Sequence, residues 1–292
     1  MKAEIRQGLQ IEQEALAAKY LGLPTAVGHS TSQVFEYLPT RIRNLVGTWS
    51  GRDASCAGRE VLLKSVAQAL PTYTMSCFLL PVDTCKKMRS IIGNYWWGSS
   101  ADNQHIHWQR WERLIQPKAR GGIGFRDLRS FNLAMLGKQG LRLPTRPESL
   151  CARVLKGLYF HDEDFLSRTR KRRMSFTWRA ILAGREVLKK GLTRRIGDGT
   201  TTRIWEDRWL PNHFAGRPLT PAEGQVVETV ADLTTDSGDW NEELIRDIFF
   251  PVDANAILKL PMTSRGEDFW EWEQEKHGNY SVKFAYRLQE YV

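Results

Sequence analysis

The residues best equipped for chemistry in this sequence are arginines and lysines, and the chemistry that suits them is holding phosphate. A guanidinium carries a permanent charge and five donors in a planar fork that matches phosphate oxygens. The densest positive run is Arg168-Thr169-Arg170-Lys171-Arg172-Arg173, which fits a phosphate patch, a nuclear import signal or a plain solvated loop. Arg195 and Arg203 flank Gly197-Asp198-Gly199. The segments 193–196 and 201–205 alternate on either side of that turn and read as one hairpin, with both arginines on one face of the ribbon. Other chemistries find less support. Asp162-Glu163-Asp164 offers carboxylates to a hard cation, but adjacent residues in one loop rarely converge on an ion. His105 and His107 do not complete a tetrahedral metal site, and Gly121-Gly122-Ile123-Gly124 lacks the lysine of a phosphate loop. No metal site and no cofactor are expected.

Charge is unevenly spread. The chain has 292 residues and a formal charge of +9, yet residues 221–292 hold 6 basic and 15 acidic side chains. That segment therefore carries −9 and residues 1–220 carry +18. A basic body of this kind attracts polyanions, and nucleic acid is the partner it implies, RNA or DNA, with little base preference. Cys56, Cys77, Cys85 and Cys151 show no C-x-x-C spacing and read as reduced, mostly buried thiols. Glu4, Glu12 and Glu14 stand where a secretory h-region would be, and no apolar run approaches 18 residues. An intracellular protein is expected, nuclear rather than cytoplasmic, with no membrane partner; oligomeric state is not legible.

The elements that must position these groups are mostly helices. Ser30, Thr31 or Ser32 opens a helix with Phe35, Leu38, Ile42 and Leu45 on one face, which Pro39 should kink or split. Ser55 caps the next, with Val61, Leu62, Val66 and Leu70 inward, and Pro71 stops it. Thr84 caps a helix carrying Met88, Ile91, Ile92 and Tyr95. Trp108 and Trp111 share a face of a short helix, and Asp127 caps a helix with Leu128, Phe131 and Met135. Four tryptophans fall within residues 96–111; they read as core, while stacking on bases would require exposed rings. Leu150, Val154, Leu155 and Leu158 form a further stripe, and Ser175 caps a helix with Trp178, Ile181, Leu182 and Leu188. Trp205 and Trp209 cover the hairpin, prolines and glycines make 211–226 a linker, and Trp240, Leu244, Ile248 and Phe249 mark an acidic helix. A hairpin at 269–282 and a terminal helix follow. The fold class is mainly α with short β-hairpins, a helical basic body followed by a smaller acidic α+β piece.

The order of several short blocks resembles the region downstream of the polymerase palm in plant non-LTR (LINE-type) retrotransposon reverse transcriptases. These are Tyr20-Leu21-Gly22-Leu23-Pro24, Ala57-Gly58-Arg59-Glu60, Leu63-Lys64-Ser65-Val66, Met75-Ser76-Cys77-Phe78, Tyr95-Trp96-Trp97-Gly98, Ile106-His107-Trp108, Gly121-Gly122-Ile123-Gly124-Phe125-Arg126-Asp127-Leu128, Phe131-Asn132, Trp178-Arg179, Gly197-Asp198-Gly199 and Tyr280-Ser281-Val282-Lys283. The resemblance implies a thumb-like helical segment at 1–82, with Arg41, Arg43, Arg59 and Lys64 as phosphate contacts. It further implies a tryptophan-rich connection at 83–210, the linker at 211–226, and at 227–292 the start of a zinc-binding-type segment without its Cys/His cluster. The family is an RNA-directed DNA polymerase whose metal ions are held by a Tyr/Phe-x-Asp-Asp turn. No Asp-Asp pair occurs here, so no catalytic residue carries over, and the chain is expected to begin downstream of that site. The implied function is a non-catalytic fragment that binds nucleic acid. Two alternatives stay open: an element-derived reading frame with no selected activity, and a clipped polymerase gene.

Overall fold

The computed structural model describes residues 19–25, 27, 31–50, 54–98, 106–161, 165–166, 174–211, 213–261 and 266–290. The helix expected near the N-terminus, Asp162-Glu163-Asp164, His105 and the run at 168–173 lie outside the described residues. The fold is mainly α, about 55% helical, with two small antiparallel sheets of two strands each. It divides into two compact units, Met1–Asn132 and Leu133–Val292. No helix among the described residues is long and apolar enough to cross a membrane.

The first unit opens on a two-residue strand pair, β1 (Lys19–Tyr20) with β2 (Leu23–Pro24). Helix α1 (Thr31–Val34) breaks before α2 (Tyr37–Trp49), and Pro39 sits in the first turn of α2, where the missing amide leaves no bond unmade. Phe35, Leu38, Ile42 and Val46 are buried. Ser55 caps α3 (Cys56–Leu62), its hydroxyl accepting from the Gly58 amide at 3.2 Å. The expected inward face of that helix is displaced. A π-helical turn at Leu63–Ala67 follows, with the Gln68 amide donating to the Leu63 carbonyl five residues back. The wider turn shifts the register that a 3.6-residue period predicts. Leu63 and Ala67 are buried, while Val61 is 62% and Val66 38% exposed.

Helix α4 (Thr72–Cys77) leads through Pro81 into α5 (Val82–Gly98), which starts two residues before Thr84 and buries that threonine instead of using it as a cap. Met88, Ile91, Ile92 and Tyr95 of α5 are buried as their spacing predicts. Trp108 is not part of the short helix α6 (Trp111–Leu114) and is 77% exposed. Trp111 instead stacks on Phe125, with centroids 5.7 Å apart, and Trp96 meets the same ring edge-on at 5.3 Å. The glycine turn then folds back: the amides of Ile123, Gly124 and Phe125 all reach the Leu114 carbonyl. Gly121 and Gly124 have φ of 76° and 75°, and a Cβ on Gly122 would stand 2.0 Å from the Gln116 carbonyl oxygen. Only glycine fits that approach. Asp127 caps α7 (Leu128–Thr145) through the Ser130 amide at 2.8 Å.

The second unit holds two apolar clusters. One centres on Trp178, which stacks on Tyr159 at 4.8 Å and on Phe160 at 5.6 Å. It joins part of α7, α8 (Leu150–Tyr159), α9 (Phe176–Gly191) and α12 (Val282–Glu290). Ser149 and Ser175 cap α8 and α9. Helices α7 and α9 cross closely, because a Cβ on Gly184 would lie 2.4 Å from the Leu136 carbonyl carbon. Of the stripe on α8 only Leu155 packs on the core, beside Ala152, while Leu150, Val154 and Leu158 are 74%, 49% and 65% exposed. The thiols depart from expectation too. All four are free, but Cys56 and Cys151, each in the first turn of a helix, are exposed.

The hairpin at 193–205 does not form. Strand β3 (Leu192–Arg195) pairs antiparallel with β4 (Phe269–Trp272), with Leu192 opposite Trp272 and Arg194 opposite Trp270. The cause is Asp268, which lies next to β4 and is far away in sequence. Its buried carboxylate accepts from the Gly197 and Gly199 amides at 2.7 and 3.0 Å, and from the Thr201 amide and the Thr201 and Thr202 hydroxyls. Residues 197–202 wrap that carboxylate instead of reversing into a second strand. The chain does reverse after β4, with the Trp272 amide donating to the Gly278 carbonyl and the Gly278 amide to that of Glu275, but no second strand of the hairpin expected at 269–282 forms among the described residues.

The segment 211–226, expected as a linker, is anchored at some of its described residues, while Phe214, Leu219 and Val226 stay exposed. Trp209 and Leu210 donate to the Gly216 carbonyl, and Thr220 donates to buried Asp253 through both amide and hydroxyl. The second cluster runs across it, joining Ile204, Trp209 and Leu210 to Val230, Leu233, Ile245 and Phe249. It is closed by α10 (Glu242–Ile248) and α11 (Pro251–Leu258). The change of charge sign near residue 220 is therefore a change of surface, not of fold.

Candidate nucleic-acid interface

The described cations proposed from sequence fall into separate places, and most already have protein partners. Arg41 is exposed on α2 beside an open groove shared with Asn44, Thr48 and Ser65, and Arg43 is exposed on the same helix. Arg59 donates to the Trp96 carbonyl at 3.0 Å, tying α3 to the end of α5. Lys64 donates to the Ile123 carbonyl at 2.6 Å and to Glu60 at 2.8 Å, which fastens the π turn to the glycine turn. Lys118 first and Lys64 second hold the Glu60 carboxyl below its ordinary range. Arg59 and Lys64 thus serve the fold of the first unit. Arg195 pairs with Glu271, and Arg203 with Glu206 at 2.8 Å. Arg168, Arg170, Lys171, Arg172 and Arg173 lie outside the described residues.

One place gathers cations. In the second unit a cleft of about 430 Å³ is lined by Lys189, Arg194, Arg203, Arg208, Arg217 and Trp270, with Glu206 and Asp207 as the opposing charges. Strand alternation builds its floor. Leu192, Arg194, Trp270 and Trp272 share one face of the β3–β4 ribbon, while Thr193, Arg195 and Glu271 share the other. Leu192 and Trp272 continue that first face into the apolar core, and Arg194 and Trp270 extend it to the cleft. The Arg194 guanidinium carbon stands 4.8 Å from the Trp270 ring centroid, a cation–π arrangement. The Arg194 amide donates to the Arg208 carbonyl and so lays 203–210 along the strand. Arg208 then caps the end of α9 by donating to the Lys189 carbonyl at 2.9 Å. Its Nε and that of Arg194 are buried without a hydrogen-bond partner.

Sequence reasoning singled out Arg195 and Arg203 together, and the structure brings only Arg203 to the cleft. Arg194, Arg208, Arg217 and Lys189 were missed. The signal for Arg194 lay in the Arg194-Arg195 pair itself, since alternation must send one of two neighbours to each face; which one depends on β4, some 75 residues on. Trp205 and Trp209 belong to the second apolar cluster. His107 meets Asn94 at 3.1 Å, and among the described residues no three His, Cys, Asp or Glu side chains converge as a metal site would require.

Comparison with known proteins places the chain. No family model matches it. It is 42% identical over 152 residues to an Arabidopsis thaliana protein named "Uncharacterized mitochondrial protein", a match covering 52% of this chain and 99% of that protein. The chain belongs to the same family as that protein. It is also 29% identical over 278 residues, 91% of its length, to an Arabidopsis thaliana protein named "Putative ribonuclease H protein", of which it spans 44%.

Proposed function

We propose that this chain is a non-catalytic nucleic-acid-binding fragment derived from a non-LTR retrotransposon reverse transcriptase, and that it grips RNA or DNA through phosphates with little base preference. The observation that carries this is the convergence of five cations from α9, β3 and the following loops on one cleft, where Glu206 and Asp207 line the wall and Glu186 and Glu273 pair with Lys189 and Arg208. Phosphate contacts of that kind fix position and carry no sequence information. Similarity along 91% of the chain to a protein named for ribonuclease H supports a nucleic-acid partner. Nuclear localisation fits the same reading through the run at 168–173.

Binding should fall with salt. For duplex DNA log K drops with log salt at about −0.9 per neutralised phosphate, so about five contacts cost two to three decades between roughly 50 and 200 mM. Alanine at Arg170, Lys171, Arg172 and Arg173 should flatten that slope and leave the helical circular dichroism unchanged. A folded chain that shows no binding at low salt sinks the reading and favours a reading frame without selected activity.

The chain should not polymerise. Two-metal phosphoryl transfer needs paired carboxylates, and the Asp-Asp pair of the resembled polymerases does not occur in this sequence. Purified protein given Mg²⁺ or Mn²⁺, primer–template and nucleotides should leave the primer unextended. Extension that survives repurification and vanishes on mutating one carboxylate would refute this.

A further inference from the structure

We infer that the cleft between β3 and the 203–217 loops receives one nucleotide unit of a single strand, and that it discriminates against duplex. The inference rests on the nucleic-acid reading above and specifies its ligand. Size is the first ground. About 430 Å³ lies within the usual range of small-ligand pockets and matches a nucleotide better than a rod. A duplex keeps its bases stacked inside and presents phosphates along a convex surface, so it can meet the rim of such a cleft but cannot fill it. A single strand can splay one base inward.

The floor of the cleft is the second ground. Bases of single strands stack on aromatic rings and on arginine planes. Arg194 over Trp270 supplies both in series, on a rigid two-stranded ribbon whose far end is core. Among the described residues the Arg194 guanidinium meets the Thr201 hydroxyl and no carboxylate, so none of them neutralises its charge. Arg203 and Arg217, both exposed, stand at the same cleft for the phosphates that flank the base. Arg208 and Lys189 stand behind them, each paired with a glutamate, Glu273 and Glu186.

Fluorescence polarisation on the full chain tests this with three labelled probes at low salt: a ten-nucleotide strand, the same strand with abasic sites, and a hairpin duplex. The strand should bind about tenfold more tightly than the abasic strand, the scale of one stacked base. It should also outcompete the hairpin. Arg194→Lys keeps the charge but removes the planar fork, and should erase the difference between intact and abasic strands. Arg203→Glu with Arg217→Glu should weaken the strand at least tenfold more than the hairpin, with circular dichroism confirming the fold. Equal affinity of the unaltered chain for strand and hairpin, or persistence of the abasic difference in Arg194→Lys, overturns the single-strand assignment and leaves phosphate binding standing. No binding to any probe overturns both.

Discussion

Replacing Asp268 with alanine is expected to destabilise the second unit by about 4 kcal/mol, the scale of removing one partner from a buried charged network. The side chain is buried, and five donors from residues 197–202 converge on its two oxygens. Alanine would leave the Gly197 and Gly199 amides and the Thr202 hydroxyl with nothing to bond, in a place water cannot easily reach. Asparagine should be nearly as costly, because its NH₂ group would face donors. Burial pushes the Asp268 carboxyl up, but the Thr202 hydroxyl, the Gly197 and Gly199 amides and Thr201 outweigh it, so the folded value lies below the ordinary 3.8. The unfolded chain then binds the proton more readily than the folded one. This stabilisation is complete above the ordinary carboxylate value and is lost as pH falls through the folded one. Asp253, held low by Thr220 and His213 against its own burial, adds an acid limb of the same sign. Urea midpoints measured from pH 7 down to pH 3 should therefore fall steeply in the unaltered chain and less steeply in Asp268→Asn. An Asp268→Ala midpoint equal to the parent's would show that the loop does not depend on this carboxylate.

The same aspartate marks the limit of what the sequence could disclose. Local signals were legible: Ser55, Asp127 and Ser175 each cap the helix that follows, because a cap is settled within four residues. So was the buried face of α5, a helix with one period. The run from Val61 to Leu70 was not, since Val61 already faces outward and the i→i+5 bond from Gln68 to Leu63 then shifts the register in a way that leaves no mark in a 3.6-residue pattern. The turn residues at 197–199 did announce a reversal, but its partner was chosen by Asp268 and β4, roughly 70 residues away. Prolines and glycines at 211–226 likewise announced irregular backbone without revealing that the Gly216 carbonyl and Thr220 bind it into a core. The cleft inherits each of these long-range decisions, which is why only Arg203 of its cations was singled out.

That packing also changes what a deletion would report. Removing 221–292 takes away nine net negative charges, which by itself would favour binding of a polyanion. It would also remove Val230, Leu233, Ile245 and Phe249 from the cluster around Trp209, and β4 from beside β3. Charge reversal at single exposed sites separates electrostatics from folding; truncation cannot.

Asn132 should be to the first unit what Asp268 is to the second. It is fully buried, and its amide spans three backbone groups. Its Oδ1 accepts from the Leu80 amide at 2.8 Å, and its Nδ2 donates to the Met75 and Phe78 carbonyls at 2.7 and 2.9 Å. These bonds satisfy the end of α4 and the bend at 78–80, where the backbone turns extended at Phe78 and the helix no longer supplies partners. Alanine strands all three groups and leaves a small void, at an expected cost of about 3 kcal/mol. Leucine fills the void but still strands them, so it should recover little. Aspartate keeps the acceptor for Leu80 and sets a carboxylate oxygen against two carbonyls, and should be the worst of the three. Hydrogen exchange resolves the outcome by region. Peptides from 72–98 should lose protection in Asn132→Ala, and the Leu80 amide should exchange fastest. If protection in 72–98 matches the parent, the bend is held by the burial of Met75 and Leu80 alone, and the amide is a passenger.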